Sequence, residues 1–202
     1  LDEYVDRMPK EQKEIYYISA ETSSQALAST HLEVFKSKNI PVLIMTDAID
    51  QFWLPMVGSF KEKKFTSITQ GKINLDELDS KNKDKKNKSN NDKDKQDKEY
   101  VDLIAQLKVV LGDQVKDIRL SSKLTDSPVC LVADEGDMDI AMEQLMAQRD
   151  SNYKGAPRIL EINGDHSLIK NMKSLLSKKE SNDLVSDAGT VSYTHLRAHE
   201  TS

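Results

Sequence analysis

A single cysteine, Cys130, cannot form an internal disulfide and suits a reducing compartment. Apolar runs are short. None nears the roughly 20 residues that a membrane-spanning helix requires, and no apolar leader opens the chain. The seven glycines are scattered without phosphate-loop or dinucleotide spacing. The four histidines form no metal-ligand cluster with the cysteine. Carboxylates are plentiful, but sequence places none in an acid–base pair. Aromatics are only 5% and the formal net charge is −5, which disfavours a nucleic-acid binder read from bulk charge. What remains is a chain of 202 residues, 37% hydrophobic, long enough for one large or two small domains. It opens at Leu1 rather than Met and reads as a piece of something longer.

Alternation and helical spacing divide that chain. Tyr4 to Arg7 makes a helical turn, and Ile15-Tyr16-Tyr17-Ile18 is a buried strand. Thr22-Ser23-Ser24 caps a helix carrying Leu27, His31, Leu32, Val34 and Phe35, which ends near Lys36–Asn39. Val42–Met45 is a second buried strand, so the three elements predict a βαβ unit with a parallel pair. Ile49–Leu54 starts a helix that Pro55 interrupts or kinks, and Phe65–Thr69 alternates as a third strand. From Glu99 a second unit begins. Tyr100, Val101, Ile104, Leu107, Val110 and Leu111 trace a helix face that Gly112 stops. Val115–Leu120 reads as a strand, and Val129–Val132 returns as another after a turn at Asp126-Ser127-Pro128. Arg158–Ile162 is a strand, followed by a turn at Asn163-Gly164-Asp165 and a helix carrying Leu168, Ile169, Met172, Leu175 and Leu176. No further long apolar helix is expected. His31 is a packing or solvated residue, and His166, at a helix start, has a local hydrogen-bonding role.

Between the second pair of strands and the third lies Asp137–Arg149. At a helical period Met138, Ala141, Met142, Leu145 and Met146 share one face, with Ile140 alone on the wrong side and Asp139, Glu143 and Gln144 turned away. Acidic residues precede this helix and Arg149 ends it, as the helix dipole favours. A methionine stripe at this spacing is usually core. Methionine also recurs on surfaces that bind many partners loosely, so both readings stand.

Two segments differ in kind. From Ser80 to Glu99 the chain is mostly Lys, Asn and Asp with no apolar side chain to bury, which predicts a solvated linker. The interleaved Asp residues and missing aromatics argue against a nucleic-acid patch. Val191–Thr201 back-translates into a sequence resembling the mosaic end and adapter of transposase-based sequencing libraries. Residues 190–202 are therefore read as an adapter artefact and set aside, and the His195/His199 pair at i and i+4 is not taken as a metal site.

Four stretches together resemble the heat-shock protein 90 chaperones, most closely their bacterial form. They are Leu1–Met8 with Gln12 and Ile15–Ile18; His31-Leu32-Glu33 with Ile40–Met45 and Asp47–Asp50; Leu111–Leu120 with Leu124–Pro128; and Leu160–His166. Their order and spacing agree over nearly all of residues 1–176. The resemblance implies an α/β (α+β) fold of two small mixed domains. Residues 1–72 would be the α/β/α end of a middle domain and 73–98 a charged flexible linker. Residues 99–189 would be a truncated α-β-β-α-β-α C-terminal domain for client binding and dimerisation.

It also implies function. The family binds partly folded clients in an ATP-driven cycle. Its ATP and Mg site lies in an N-terminal domain that this stretch lacks, so no catalytic, cofactor or metal residue is expected here. Carried over by position, client contacts fall on Phe52, Trp53, Met138, Met142, Leu145 and Met146, which makes the methionine face exposed rather than core. Phe52 stands where the family has tryptophan, and Pro55 departs from the usual helical residue. The family's dimer bundle is mostly missing, so this chain should be monomeric although the parent is a homodimer. The location is cytoplasmic, without nucleic-acid or membrane partners. The alternatives are a stand-alone α/β protein-interaction module without an ATP cycle, and a small α/β enzyme. The enzyme would need a pocket with perturbed titratable groups at the carboxyl ends of the Ile15 and Val42 strands.

Overall fold

The computed structural model describes residues 1–9, 11–71, 73, 86–150, 153, 155–177 and 182–200. They form two compact units, one of residues 1–81 with 133–156 and one of residues 82–132 with 157–202. This grouping departs from the sequence-based boundaries, because the methionine-rich helix joins the first unit.

In the first unit, α1 (Asp2–Arg7) leads to β1 (Glu14–Ser19), and β1 pairs in parallel with β2 (Leu43–Met45) and β4 (Lys63–Ser67). A short β3 (Ser59–Phe60) closes an antiparallel hairpin on β4, giving the order β2-β1-β4-β3. The hairpin was not foreseen. Its turn residues Lys61 and Glu62 both take positive φ, which lysine and glutamate do not advertise. The expected βαβ unit is present, but its helix is two pieces, α2 (Ser23–Ala28) and α3 (Glu33–Ser37). Thr22 caps α2 as expected, in a reciprocal box with Gln25. Ser29 then turns extended, and its hydroxyl accepts the His31 N–H to start a 3-10 turn, Thr30–Leu32. His31 is buried there, as a packing residue.

Alternation along β1 feeds two cores. Tyr16 and Ile18 pack with Ala26, Leu32, Val34 and Phe35 on one face of the sheet. Ile15 and Tyr17 pack on the other with Tyr4, Phe65 and Leu54 of α4 (Asp50–Val57). Helix α4 runs through Pro55 to Val57, so the expected interruption does not occur. The proline removes the N–H that would bond the Gln51 carbonyl, and packing of Leu54 and Trp53 holds the turn despite that loss.

Helix α6 (Ile140–Arg149) begins two residues later than Met138. Asp139 is its N-cap and accepts the Ala141 N–H at 3.0 Å. The preceding strand exit is sewn onto the sheet: Ala133 N–H donates to Thr69 O at 3.0 Å and Gly71 N–H to Ala133 O at 2.9 Å. Thr69 Oγ1 donates to Asp139 Oδ2 at 2.8 Å, and Gln148 Nε2 to Glu21 Oε1 at 2.8 Å.

In the second unit, α5 (Lys86–Leu111) ends at Gly112, whose φ is +48°. It begins thirteen residues earlier than Glu99, so 86–98 is helical where a linker was expected. Those residues contain neither Pro nor Gly, the two strongest helix breakers, and their Lys and Gln side chains favour helix. The remainder of the expected linker, 74–85, lies outside the described residues. Strands β5 (Val115–Leu120), β6 (Val129–Val132) and β7 (Arg158–Ile162) follow the order β5-β7-β6, with β7 parallel to β5 and antiparallel to β6. Strands β5 and β6 are thus not neighbours. The last strand takes the centre, paired on both edges, and its Ile159, Leu160, Glu161 and Ile162 are all buried, as befits an inner strand.

Helices α5, α7 (Ser167–Ser177) and α8 (Asn182–Glu200) close this core, with Leu103, Leu107, Leu111, Ile118, Leu160, Ile162, Ile169 and Met172 buried together. Gly164 lets the Tyr100 ring approach, since a Cβ there would sit 3.2 Å from it. His166 Nδ1 accepts the Leu168 N–H at 3.1 Å, the local role expected of it. Helix α8 was not expected, and it includes the segment set aside as adapter. Tyr193 is buried, its hydroxyl donates to Gln114 O at 2.8 Å, and Leu196 packs beside it. Helix and packing ask only for apolar residues at suitable spacing and no proline, which a segment of any origin can meet.

Candidate functional site

The two most exposed large apolar side chains of the first unit among the described residues, Ile49 and Met56, lie at the N-cap and near the end of α4. Ile49 is 64% exposed, Phe52 36% and Met56 85%, and Val57 is also exposed. Positions 49, 52 and 56 follow i, i+3, i+7 and therefore form one stripe. Trp53 points the other way. Its Nε1–H donates to Asp50 Oδ1 at 2.7 Å, and its ring meets Phe65 edge-on at 5.9 Å between centroids. The helix period separates these neighbours: one residue's rotation of 100° puts Phe52 outside and Trp53 against the core. Of the two residues carried over as contacts, Phe52 is exposed and Trp53 is half-buried against the core. Ile49 and Met56 belong to the stripe instead, and their spacing from Phe52 was the signal that sequence reading passed over.

The methionine face of α6 is neither core nor fully exposed. Met138, just before the helix, is 40% exposed, while Met142, Leu145 and Met146 are half-buried. The buried arc carries Ile140, Ala141 and Glu143. Ile140, which looked misplaced by periodicity, is the apolar anchor. Glu143 looked solvated but is buried, and its Oε1 accepts the Ala156 N–H at 2.7 Å. The carboxylate thus holds the chain that leaves the helix, a role visible only once residues 143 and 156 are near each other.

Between α6 and the sheet lies a crevice of about 420 Å³, lined by Tyr17, Ser19, Gln51, Gln70, Gly136, Asp137, Met138, Asp139 and Met142. Two expected contact residues, Met138 and Met142, meet here, and Gln51 brings in the α4 position next to Phe52. Leu145, Met146, Phe52 and Trp53 are not on its wall. The crevice sits at the carboxyl ends of the parallel strands, with Ser19 ending β1 and Gln70 just past β4. Helices α2 and α3 cover one face of the sheet and α4 the other, so β1 is the point where the winding reverses. Open α/β sheets place ligand crevices there because successive loops diverge. Burial, reinforced by the Asp139 carboxylate, pushes the Tyr17 phenol up to about 12, so it stays a protonated donor. Gln51 Oε1 is buried and has no hydrogen-bond partner among the described residues.

In the second unit Glu161 is buried on β7, where it accepts from Arg119 Nη2 at 2.8 Å and Ser121 Oγ at 2.8 Å. Burial pulls the amine of nearby Lys123 down, partly opposed by Glu161. The Arg119–Glu161 pair joins β5 and β7 at positions that face each other in the sheet. Among the described residues no cluster of His, Cys, Asp or Glu has the make-up of a metal site, and no helix is long and apolar enough to cross a membrane.

Comparison with known proteins gives a consistent picture. A family model described as Hsp90 protein matches residues 1–197. The chain is 38% identical over 190 residues to the chaperone protein HtpG of Roseobacter denitrificans, covering 93% of this chain and 30% of that relative. It is 39% identical over 169 residues to HtpG of Psychromonas ingrahamii, with 84% of this chain and 26% of the relative covered. HtpG of Streptomyces coelicolor is 38% identical over 172 residues, covering 85% of this chain and 26% of the relative. The chain spans less than a third of the length of these relatives.

Proposed function

Because the chain belongs to the Hsp90 family, we propose that it is the client-holding part of an ATP-dependent chaperone, binding partly folded proteins through α4 and the methionine face of α6. The observation that carries this is the exposed stripe Ile49, Phe52 and Met56 on a helix whose other side, Trp53 and Leu54, is anchored in the core. An apolar stripe on a rigid support offers area without demanding a sequence, which suits clients that share none. Met138, Met142, Leu145 and Met146 extend that surface with side chains that repack easily. Trp53 supports it from beneath.

ATP and Mg²⁺ belong, in this reading, to residues outside this stretch, and the chain itself performs no hydrolysis. A cytoplasmic location and a homodimeric parent are parts of the same proposal. The chain alone is a monomer: Tyr193 and Leu196 of α8 pack on their own unit, while Val191 is left exposed. Sedimentation at micromolar concentration checks this, and a stable dimer would overturn it.

The main test is client holding. Ile49→Ser with Met56→Ser should leave the chain folded and markedly reduce its suppression of aggregation of a chemically denatured enzyme. Unchanged suppression by the folded double variant would refute the α4 surface. The second reading, a stand-alone interaction module, is separated by the reading frame upstream of Leu1: an encoded ATPase domain supports the chaperone, and its absence supports the module.

A further inference from the structure

We propose that Asn163 is a hydrolytic modification site that reacts only when the second unit opens, and that its conversion to aspartate or isoaspartate keeps that unit from closing again. Of the chain's asparagines, Asn163 alone is followed by glycine. In an open chain the Gly164 nitrogen, with no neighbouring Cβ to hinder it, attacks the Asn163 carboxamide carbon. A bond forms between that nitrogen and Cγ. The Cγ–Nδ2 bond breaks, and Nδ2 leaves as ammonia with the amide proton of Gly164. Water then opens the cyclic imide at either carbonyl, giving aspartate, or isoaspartate with an extra methylene in the main chain.

The fold restrains both reacting groups. Asn163 is buried at the end of β7. Its Nδ2 donates to Ser127 O at 3.0 Å and to Thr125 O at 3.4 Å, and its Oδ1 accepts the Asp165 N–H at 3.0 Å. The main chain is tied as well. Asn163 N–H donates to Pro128 O at 2.8 Å, and Asn163 O accepts the His166 N–H at 3.1 Å. The Tyr100 hydroxyl donates to Gly164 O at 2.6 Å. Swinging the carboxamide onto the Gly164 nitrogen and releasing Nδ2 breaks the side-chain bonds, so reaction follows the small population of open molecules. The same bonds make the products unfit for the fold. Aspartate has no donor to replace Nδ2 and sets a buried charge against two carbonyl oxygens. Isoaspartate lengthens the link between β7 and α7 and displaces the carbonyl that Tyr100 holds.

The full chain is incubated at mildly alkaline pH in native buffer and in urea sufficient to unfold it. The tryptic peptide Ile159–Lys170 is followed by mass spectrometry, and isoaspartate is identified by enzymatic methylation. Conversion in urea should exceed native conversion at least about hundredfold, and at intermediate urea it should track the unfolded fraction measured by circular dichroism. Gly164→Ala should slow the rate in urea several-fold, because a Cβ crowds the attacking nitrogen. On dilution from urea, modified chains should be enriched in the fraction that fails to regain protease resistance. Asn163→Asp should melt at least about 10 °C below the parent. If that variant does not fold at all, the partition of aged chains on refolding decides. Equal conversion in buffer and urea, a product free of isoaspartate, or modified chains that refold as well as unmodified ones would each overturn the proposal.

Discussion

Trp53→Ala tests whether the two aromatic neighbours on α4 have the opposite roles assigned to them. The substitution removes an indole that packs edge-on against Phe65 and donates to Asp50 Oδ1 at 2.7 Å. A fully buried Trp→Ala change costs about 3–5 kcal/mol. Trp53 is half-buried, which lowers the figure to about 2–3 kcal/mol, the aromatic pair contributing roughly 0.5–1.5 of it. Asp50 stays near the start of α4, where the helix dipole still favours its charge, so no unpaired buried group adds to the cost. In a unit of about a hundred residues, each kcal/mol moves the melting temperature by roughly 4–8 °C, so a fall of about 10–20 °C is expected. Met56→Ser, three residues on and 85% exposed, should change stability by no more than about 0.5 kcal/mol. Urea unfolding followed by circular dichroism gives both values, and client aggregation measured well below both melting temperatures gives function. Met56→Ser should lower holding while stability stays, and Trp53→Ala the reverse. A Trp53→Ala protein as stable as the parent would refute the inward placement of the indole and with it the division of labour along α4.

Other outcomes follow from the same contacts. Tyr17 has its pKa raised by burial and by Asp139, so the folded state holds the phenolic proton more tightly than the unfolded chain. Its contribution to stability is therefore complete below about 10 and is lost as pH rises toward about 12. Tyr17→Phe should flatten that alkaline loss relative to the parent, and identical alkaline melting curves would contradict it. Arg119→Met leaves the buried Glu161 with Ser121 but without its cation, and should cost about 3 kcal/mol or more in chemical denaturation. Pro55→Ala restores a helical N–H and should stabilise α4 by about 1–3 kcal/mol, read as a higher urea midpoint. Tyr193→Ala should cost about 2–4 kcal/mol if the tail packs as described, whereas an unchanged midpoint would place that tail outside the fold. Resequencing the gene past codon 189 addresses the separate question of where that segment comes from.

Much of the architecture was legible in one dimension because it depends on local periods. The β-branched and aromatic runs at Ile15–Ile18 and Val42–Met45, with a capped helix between, could hardly be other than a parallel pair. The βαβ rule needs no distant contact to apply. The family, too, was carried by local stretches in order. The sequence by itself therefore determined the parallel pairing around β1 and the presence of apolar faces on α4 and α6, though not the β3 hairpin, α8 or the helical stretch at 86–98. Tertiary structure decided which way those faces turned. Phe52 and Trp53 are equally apolar, and only the position of Phe65 and Asp50 sends one inward. Ile140 became the anchor of α6, and Glu143 a buried acceptor, where Thr69 meets the N-cap Asp139 from far along the chain and the segment leaving the helix folds back so that the Ala156 N–H reaches Glu143. Strand order in the second sheet was likewise settled in three dimensions, with β7 buried and paired on both edges, which a run of alternating letters does not specify. The crevice is the extreme case. Its walls come from β1, α4, the end of β4 and the start of α6, and no local pattern announces a cavity that exists only where four separate segments leave a gap.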